Sequence, residues 1–447
     1  MKKALCIILA LILVLSILTG CGNNSSTPET PTKAEEPTAE NKVNQTVEGS
    51  VTLENAADDG YELTVWVGAD MVLETQGECW NEYIENFLAA NDNVKSISLI
   101  PMGDAERNAA IMAGVGLPDI YFGSARDALK FYRATPLLDL SDLFADTSWS
   151  DGFYEEAINH VTYDGKQYAI PLISYVSIMY RNLDVLEDAG CEYKEQYATM
   201  DEFLADLEAV KDAGYDATCS WAQGSYYGTG TIIGADAENI TVGVEDNKTT
   251  VQPEQLVRSL ETLQKIESYA NNMPYGEDAT IESFCSGEIG FLLDGPWTEY
   301  TIQNSGVNYD VVLLPSYEEG GHTGGMLGWD FYYGVDSGDA DRNAVIKDLL
   351  KYLGSFEAEK LWTLKVGRPT LRLDVMSDPE VLQTMMCKVQ AKGNEGGILQ
   401  MDFFHDNVYW LSVFGDIAPL VANGTYTPEQ GAQAAVDAIN ALYAEQG

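Results

Sequence analysis

The alternation of apolar and polar residues predicts strands and helices that follow one another in a regular order. Residues 62–67 read Glu-Leu-Thr-Val-Trp-Val and predict a strand, and the apolar residues within 80–88 recur at the three- and four-residue spacing of an amphipathic helix. Further along, 96–101 and 119–122 predict strands on either side of a short helix at 105–115. This order favours a parallel sheet with helices on both faces, so we predict an α/β fold.

The rest of the chain adds a second group of strands and several capped helices. Thr199 and Glu202 form the T-x-x-E pattern of a capping box ahead of an apolar helix, and Thr427 with Gln430 predicts the start of a C-terminal helix. A helix is also predicted at 345–353, and strands are predicted at 168–171, 177–181, 291–293, 309–315 and 331–335.

The N-terminus has the pattern of a secretory signal. Two lysines precede an apolar run from Ala4 to Ile17, and the following Leu-Thr-Gly-Cys matches the cleavage motif of bacterial lipoproteins. A run of about 15 apolar residues is too short for a transmembrane helix, which needs about 20. We therefore predict a signal peptide at 1–20, a lipid on Cys21 and a protein anchored to the extracytoplasmic face of the cell membrane.

Residues 21–60 are rich in Asn, Ser, Thr, Pro and Glu and contain hardly any aromatic residue. Such a segment cannot bury enough apolar surface to offset the entropy lost on ordering. We predict a disordered tether between the lipid and a globular body.

Length and charge narrow the class of protein. A chain of 447 residues exceeds the size that one hydrophobic core usually organises, so two lobes are expected. The 25 basic and 70 acidic residues give a formal net charge of -45, which argues against nucleic acid and against electrostatic adhesion to anionic lipid. Outside the signal and Cys21 the cysteines are widely spaced, as are the three histidines, so we predict neither a disulfide scaffold nor a metal site or cofactor.

Eight short patterns occur in an order that resembles the extracellular solute-binding protein family 1 of ABC importers. The resemblance extends from about residue 61 to the C-terminus. The patterns are GLPDIY at 116–121, LLDL at 137–140, DGKQYAIP at 164–171, SIMYRNLD at 177–184, FCSGEIGF at 284–291, DGPW at 294–297, YDVVLLP at 309–315 and NGTYTPE at 423–429.

The resemblance implies a class II periplasmic-binding-protein-like fold, in which the ligand cleft lies between two α/β lobes. Ligands of open α/β sheets also bind beyond the carboxyl ends of the strands in general, which places a cleft in the same region. Chain crossings between the lobes are expected near 171–174, near 313–316 and near Leu371. Lobe one would contain 61–172 and 315–371, and lobe two would contain 173–314 and 372–447.

A sugar-binding site needs aromatic rings for the C–H faces of the sugar and carboxylates or amides for its hydroxyl groups. Trp297 follows a predicted strand and a Gly-Pro turn, where the resemblance implies a sugar-stacking tryptophan. Asp70 follows the first strand, where it implies a hydrogen-bonding acid, and Trp221 follows a short strand in a stretch that supplies aromatic residues. The alternatives are core positions for the two tryptophans and a helix cap or loop for Asp70.

Other candidates depart from the family pattern or have weaker support. Tyr175 and Arg126 stand where maltose-binding members of the family have acids, so the resemblance does not extend to the identity of the sugar. Arg368 is predicted to clamp a ligand through two hydrogen bonds, or else to pair with an acid of the protein. The remaining candidates are Ser124, Tyr226, Tyr227, Trp329, Asp330 and Trp410.

The resemblance implies a monomeric receptor that captures a carbohydrate, in particular an oligosaccharide. The receptor would deliver it to the permease subunits of an ABC importer and, through them, to the ATPase. A receptor of the same fold for a peptide, a polyamine or an anion is the alternative. An exported enzyme is a third class, but the chain has no H-E-x-x-H, G-x-S-x-G or phosphate-loop motif, so we do not expect catalysis.

Overall fold

The computed structural model describes residues 49–55, 59–72, 74–223, 226–240, 243–274, 276, 278–321, 326–396, 398–399 and 407–446. The predicted signal peptide and Cys21 lie outside these residues. The tether was expected to reach residue 60, but Val51–Glu54 forms a strand and so does not belong to it. The physical reason is that Leu53 lies opposite Ile97 of a neighbouring strand and packs against the core.

The strands are numbered in chain order. They are β1 Val51–Glu54, β2 Tyr61–Gly68, β3 Val94–Met102, β4 Ile120–Ser124, β5 Thr162–Tyr163, β6 Lys166–Gln167, β7 Ala169–Val176, β8 Ile178–Asn182, β9 Asp216–Ser220, β10 Val244–Glu245, β11 Lys248–Thr249, β12 Ala270–Pro274, β13 Ile289–Asp294, β14 Tyr309–Val312, β15 Met326–Gly334 and β16 Ile398–Leu399.

The helices are numbered in the same way. They are α1 Glu74–Ala90, α2 Asp104–Ala113, α3 Ala128–Ala134, α4 Ser141–Phe144, α5 Thr147–Ser150, α6 Glu155–His160, α7 Leu183–Asp188, α8 Met200–Asp212, α9 Tyr226–Gly234, α10 Pro253–Tyr269, α11 Asp278–Cys285, α12 Glu299–Ser305, α13 Ala340–Leu353, α14 Phe356–Val366, α15 Leu373–Met376, α16 Met385–Gly396, α17 Asn407–Ala422 and α18 Pro428–Gln446.

The first sheet has seven strands in the order β1, β3, β2, β4, β15 and β16, with β7 also paired to β15. The strands predicted near the N-terminus are confirmed as β2, β3 and β4, and β2 is parallel to both of the others. β15 is antiparallel to β4 and to β7. The carboxyl ends of β2, β3, β4 and β7 and the amino end of β15 therefore lie at one edge of this sheet, which we call the first edge.

The second sheet has five strands in the order β12, β9, β13, β8 and β14. β13 is parallel to β9 and antiparallel to β8, and β14 is antiparallel to β8. The carboxyl ends of β9, β13 and β14 and the amino end of β8 lie at one edge, which we call the second edge. Only Ser177 separates β7 from β8, so the chain passes directly from the first edge to the second.

Each sheet has its own hydrophobic core. The predicted helix at 80–88 is confirmed as part of α1, whose Trp80, Tyr83 and Ile84 are buried against the first sheet. In the second core, α10 and α18 pack against each other and the side chains of Leu260 and Ile439 are fully buried. Two separate cores of this kind are consistent with two lobes.

The division of the chain between the lobes stays a prediction, and the contacts near Leu371 bear on it. The Leu371 amide donates to Leu172 at 3.0 Å, and Thr370 bridges to Ile173, so both residues join β7 of the first sheet. Val375 and Met376 then cluster with Phe356 of α14. Residues 372–384, which the sequence analysis assigns to lobe two, therefore pack against helices of the first sheet.

Both predicted N-caps are present, and the one at Thr427 is a reciprocal capping box, whereas Glu202 binds the amide of Ala198 in place of that of Thr199. The Thr199 hydroxyl accepts a hydrogen bond from the Glu202 amide at 3.4 Å, and the Glu202 carboxylate accepts one from the Ala198 amide at 2.9 Å. At the C-terminal helix, Thr427 and Gln430 make the reciprocal pair. The helix predicted at 345–353 is confirmed as the later part of α13. The prediction began too late because the first turn of α13 is polar and has no apolar periodicity.

We expect Thr199→Ala to lower the free energy of unfolding by about 1 kcal/mol, because the substitution leaves an amide at the start of α8 without its acceptor. Thr199→Ser keeps the hydroxyl and is the matched control. Chemical denaturation of both variants measures the difference. Equal losses in the two variants would show that the threonine methyl group, and not the cap, contributes the stability.

Candidate functional site

The first edge brings together several residues that the sequence analysis names from different parts of the chain. Asp330 on β15 lies opposite Ser124 at the end of β4 and opposite Ile173 on β7. Arg126 follows Ser124, whose hydroxyl accepts a hydrogen bond from the Arg126 amide at 3.3 Å. The sheet register thus places Ser124, Arg126 and Asp330 side by side.

Arg368 reaches the same region from the end of α14. The next residue, Pro369, accepts a hydrogen bond at its carbonyl from the Ser174 amide at 3.1 Å, which fixes this segment beside β7. Arg368 is 6% exposed, and its charge acts on Asp330 and Tyr332 in the first sheet and on Tyr180 in the second. The segment of Arg368 therefore lies beside β7, from where the Arg368 charge acts on residues of both sheets.

Arg107 is a site residue that the sequence analysis missed. It lies on α2, directly after β3, with its guanidinium 5.5 Å from the ring centroid of Phe122 and one nitrogen 2.7 Å from Asp104. Its side chain is almost fully buried. The signal for it was present, because Asp104 and Arg107 follow the predicted strand at 96–101, but sequence alone does not show that this strand end adjoins β4.

The charges around Asp330 are mixed, and burial dominates its titration. Burial and the nearby Asp104 raise the pKa of Asp330 to about 7, while Arg107, Arg368 and Arg126 lower it. The carboxyl group of Asp330 is therefore partly protonated at neutral pH.

This shift predicts a pH-dependent contribution to stability. Because the folded-state pKa of Asp330 lies above its unfolded value, the folded protein holds a proton that the unfolded chain has lost, and stability falls as the pH rises from about 4 to about 7. We expect the wild-type free energy of unfolding to fall between pH 5 and pH 8 more than that of Asp330→Asn. Parallel pH-denaturation profiles for the two proteins would contradict the raised pKa.

Trp297 and Tyr175 form an aromatic pair where the two edges meet. Their ring centroids are 5.6 Å apart with an interplanar angle of 77°. Trp297 follows β13 at the second edge, yet its partly buried ring packs against the core of the first sheet. A Cβ atom at Gly328 would collide with the ring of Tyr175, and one at Gly295 would collide with that of Trp297, so each ring lies flat on a glycine.

Two other predicted site residues are buried in the cores. Trp221 is 0% exposed, stacks on Phe203 at 6.1 Å and donates from its indole nitrogen to Thr218 at 3.0 Å. The expectation that Trp221 is exposed to the cleft is wrong, because its ring faces α8 inside the second core. Trp329 is 3% exposed, and its ring contacts Tyr154. Because successive residues of a strand point to opposite faces of the sheet, the ring of Trp329 lies on the other face from Asp330 and is also remote from a ligand.

Four candidates have side chains outside the described part of the structure. They are Asp70, Tyr226, Tyr227 and Trp410. The backbone of Asp70 is described and lies in a short 3-10 helix at Ala69–Val72, directly after β2 at the first edge. A ligand role for these four side chains stays a prediction.

The cysteines and the acidic residues of the described ranges form no further chemical centre. Cys79, Cys191, Cys219, Cys285 and Cys387 are all unpaired thiols. Within those ranges no group of three or more histidine, cysteine, aspartate or glutamate side chains is arranged to hold a metal ion. One surface cavity of about 500 Å³ opens beside Asn182 and Gly287, at the opposite end of the second sheet from Trp297, and contains none of the candidates.

The fold and the site define a two-lobed binding protein, with aromatic and charged side chains where the edges of two α/β sheets meet. Residues 82–385 match the model of a family described as bacterial extracellular solute-binding protein, and the chain belongs to this family. Among the described residues, no helix has the length and apolar character needed to cross a membrane.

Relatives and solved structures agree with this assignment. The diacetylchitobiose binding protein DasA of Streptomyces coelicolor is 25% identical over 254 residues, which cover 54% of this chain and 57% of that protein. The arabinooligosaccharide-binding protein of Halalkalibacterium halodurans is 23% identical over 363 residues, covering 74% of this chain and 78% of that protein. The GacH receptor of Streptomyces glaucescens, solved unliganded and with acarbose, has a TM-score of 0.72 at 19% identity and covers 87% of this chain and 99% of its own. The predicted two-lobed fold is confirmed.

Proposed function

We propose that this protein captures an oligosaccharide outside the cytoplasmic membrane and delivers it to an ABC importer. The observation that carries the proposal is the partly buried ring of Trp297, which packs on the buried Tyr175 beside the polar groups of Asp330 and Ser124. Aromatic faces suit the C–H faces of sugar rings, and the polar groups suit their hydroxyls. The names of two relatives, which bind diacetylchitobiose and arabinooligosaccharides, support the same class of ligand.

Ligand binding would act by closing the two lobes. A ligand shifts an open–closed equilibrium only through contacts that it makes better in the closed form, so both lobes must supply binding groups. Asp330 comes from the first sheet, and Trp297 follows a strand of the second. Ser177, between β7 and β8, and the connection at 313–321 would bend as the hinge.

The test of function is a calorimetric titration of the purified protein with diacetylchitobiose, arabinotriose, maltotriose and trigalacturonate, together with a peptide and a polyamine. We expect at least one saccharide to bind and neither of the other ligands to do so. Small-angle scattering with the saturating saccharide should show a smaller radius of gyration. Binding of the peptide or the polyamine alone would replace the proposed ligand class, and an unchanged radius would remove closure from the mechanism.

We also propose that a lipid on Cys21 retains the protein at the membrane, on the basis of the Leu-Thr-Gly-Cys motif. Stable anchoring needs more than one acyl chain, which the diacylglyceryl group of a lipoprotein provides. Cys21→Ala should release the protein into the medium or leave it unprocessed, as fractionation and mass determination would show. Normal cleavage with unchanged membrane retention would exclude the anchor.

A further inference from the structure

The charge at the first edge differs from that of the chain as a whole. The protein has a formal net charge of -45, yet the charges of three arginines act on Asp330. We call Arg107, Arg126 and Arg368 the arginine cluster. Two carboxylates oppose the cluster, because Asp104 pairs with Arg107 at 2.7 Å and Asp127 pairs with Arg126 at 3.6 Å. Three arginines whose charges act on one carboxyl group, in so acidic a protein, call for a specific cause.

Three elements that are distant in sequence position the arginine cluster. Arg126 follows β4, the partner of β15 on one side of Asp330, and Arg368 precedes the segment that pairs with β7 on the other side. Arg107 comes from α2, and its guanidinium lies over Phe122 of β4. The convergence therefore follows from sheet register and ring contact.

One member of the arginine cluster has unused hydrogen-bonding capacity. Nε and Nη1 of Arg107 are buried and have no hydrogen-bond partner among the described residues. Arg107 is 1% exposed, and its ion pair with Asp104 occupies only Nη2. Buried guanidinium nitrogens without an acceptor are costly, so an acceptor supplied by a ligand would stabilise them.

We propose that the saccharide bound by this protein carries a carboxylate, as a uronic acid does, and that the arginine cluster binds that carboxylate beside Asp330. The proposal rests on the proposed function, and it adds the charge of the ligand. A guanidinium binds a planar carboxylate through two parallel hydrogen bonds, which explains arginine in place of lysine at these positions. Trp297 and Tyr175 would then contact the sugar ring that carries the acid.

Asp330 sets how such a site responds to pH. In its protonated form the Asp330 carboxyl donates a hydrogen bond to a ligand carboxylate, whereas in its ionised form it repels the ligand. Burial and Asp104 raise the pKa of Asp330 to about 7, against the opposing charges of Arg107, Arg368 and Arg126. The affinity for an acidic saccharide should therefore fall as the pH rises from 6 to 8.

The test compares matched ligands and matched arginine variants by calorimetry on the whole protein. The ligands are trigalacturonate and triglucuronate, the methyl ester of each, maltotriose, and glucose 6-phosphate. We expect one acid to bind at least about 10-fold more tightly than its ester, and Arg126→Gln to remove most of that difference. Arg126 is partly exposed, so its substitution should leave the fold intact. Arg133→Gln, at an exposed arginine of α3, should retain the preference.

Several results would overturn the proposal. If the esters or maltotriose bind as tightly as the acids, or if glucose 6-phosphate is preferred, the carboxylate is not the recognised group, although the proposed saccharide function stands. If no saccharide of either kind binds, the function itself fails. If Arg133→Gln loses the preference as fully as Arg126→Gln does, the effect comes from the overall charge and not from the cluster. An affinity for the acids that does not change from pH 6 to 8, in the wild type as in Asp330→Asn, would remove Asp330 from the site.

Discussion

Replacing Trp221 by alanine is expected to lower the free energy of unfolding of the ligand-free protein by about 3–5 kcal/mol, because the substitution opens a large cavity in a close-packed core. The Trp221 indole is fully buried, stacks on Phe203 and donates to Thr218. A Cβ atom on Gly228 of α9 would collide with the Trp221 backbone, so the helix packs closely over this residue. Chemical denaturation of the ligand-free variant measures the loss.

The control for this prediction is Trp221→Phe, which keeps a ring on Phe203 but loses the hydrogen bond to Thr218. We expect it to lose less stability than the alanine variant. At a temperature where both variants are folded, ligand affinity should stay close to that of the wild type. If instead Trp221→Ala kept the wild-type melting temperature and lost ligand binding, the indole would be a binding group.

Replacing Trp297 by alanine should weaken ligand binding strongly and lower the stability of the protein less than Trp221→Ala does. The indole is only partly buried and lies at the junction of the two edges, over Gly295 and against Tyr175. Loss of an aromatic anchor at the centre of a binding site costs roughly 2 kcal/mol or more, so we expect saccharide affinity to fall about 30-fold or more. Calorimetric titration with the saccharide that binds the wild type measures the change.

Stability separates the two possible roles of Trp297. We expect Trp297→Ala to lose less unfolding free energy than Trp221→Ala, because less of its surface is buried. Trp297→Phe retains a ring at the junction and should keep part of the lost affinity. A variant that bound normally but unfolded several degrees earlier would place Trp297 with the core tryptophans.

The contrast between these tryptophans shows why strand ends were only a partial guide to the site. Trp221 and Trp297 both follow strands of the second sheet, β9 and β13, at the same edge. The direction in which each ring points depends on the helix packed beyond it. For Trp221 that neighbour is Phe203 of α8, the helix that directly precedes β9, and the sequence does not show which way the ring turns.

The sequence by itself determined the local elements and the class of fold. Apolar patterns with a period of two residues or with helical spacing predicted β2, β3, β4 and α1. Capping residues at Thr199 and Thr427 predicted the start of two helices. These features could be predicted because they depend on residues only a few positions apart. The order of eight motifs, through its resemblance to a known family, was sufficient to predict the two-lobed architecture. Helices such as α10 and α17, which were not predicted, owe their position to packing within the second core.

Only the tertiary structure decided which side chains share the site. The antiparallel register of β15 with β4 and β7 brings Asp330 beside Ser124, 206 residues earlier in the chain, and beside Ile173, 157 residues earlier. The same register, with the contact of Arg107 on Phe122, assembles the arginine cluster and raises the pKa of Asp330 through burial. Charge, burial and ring orientation at this edge depend on neighbouring residues that come from distant segments of the chain. No local pattern in the sequence can therefore predict them.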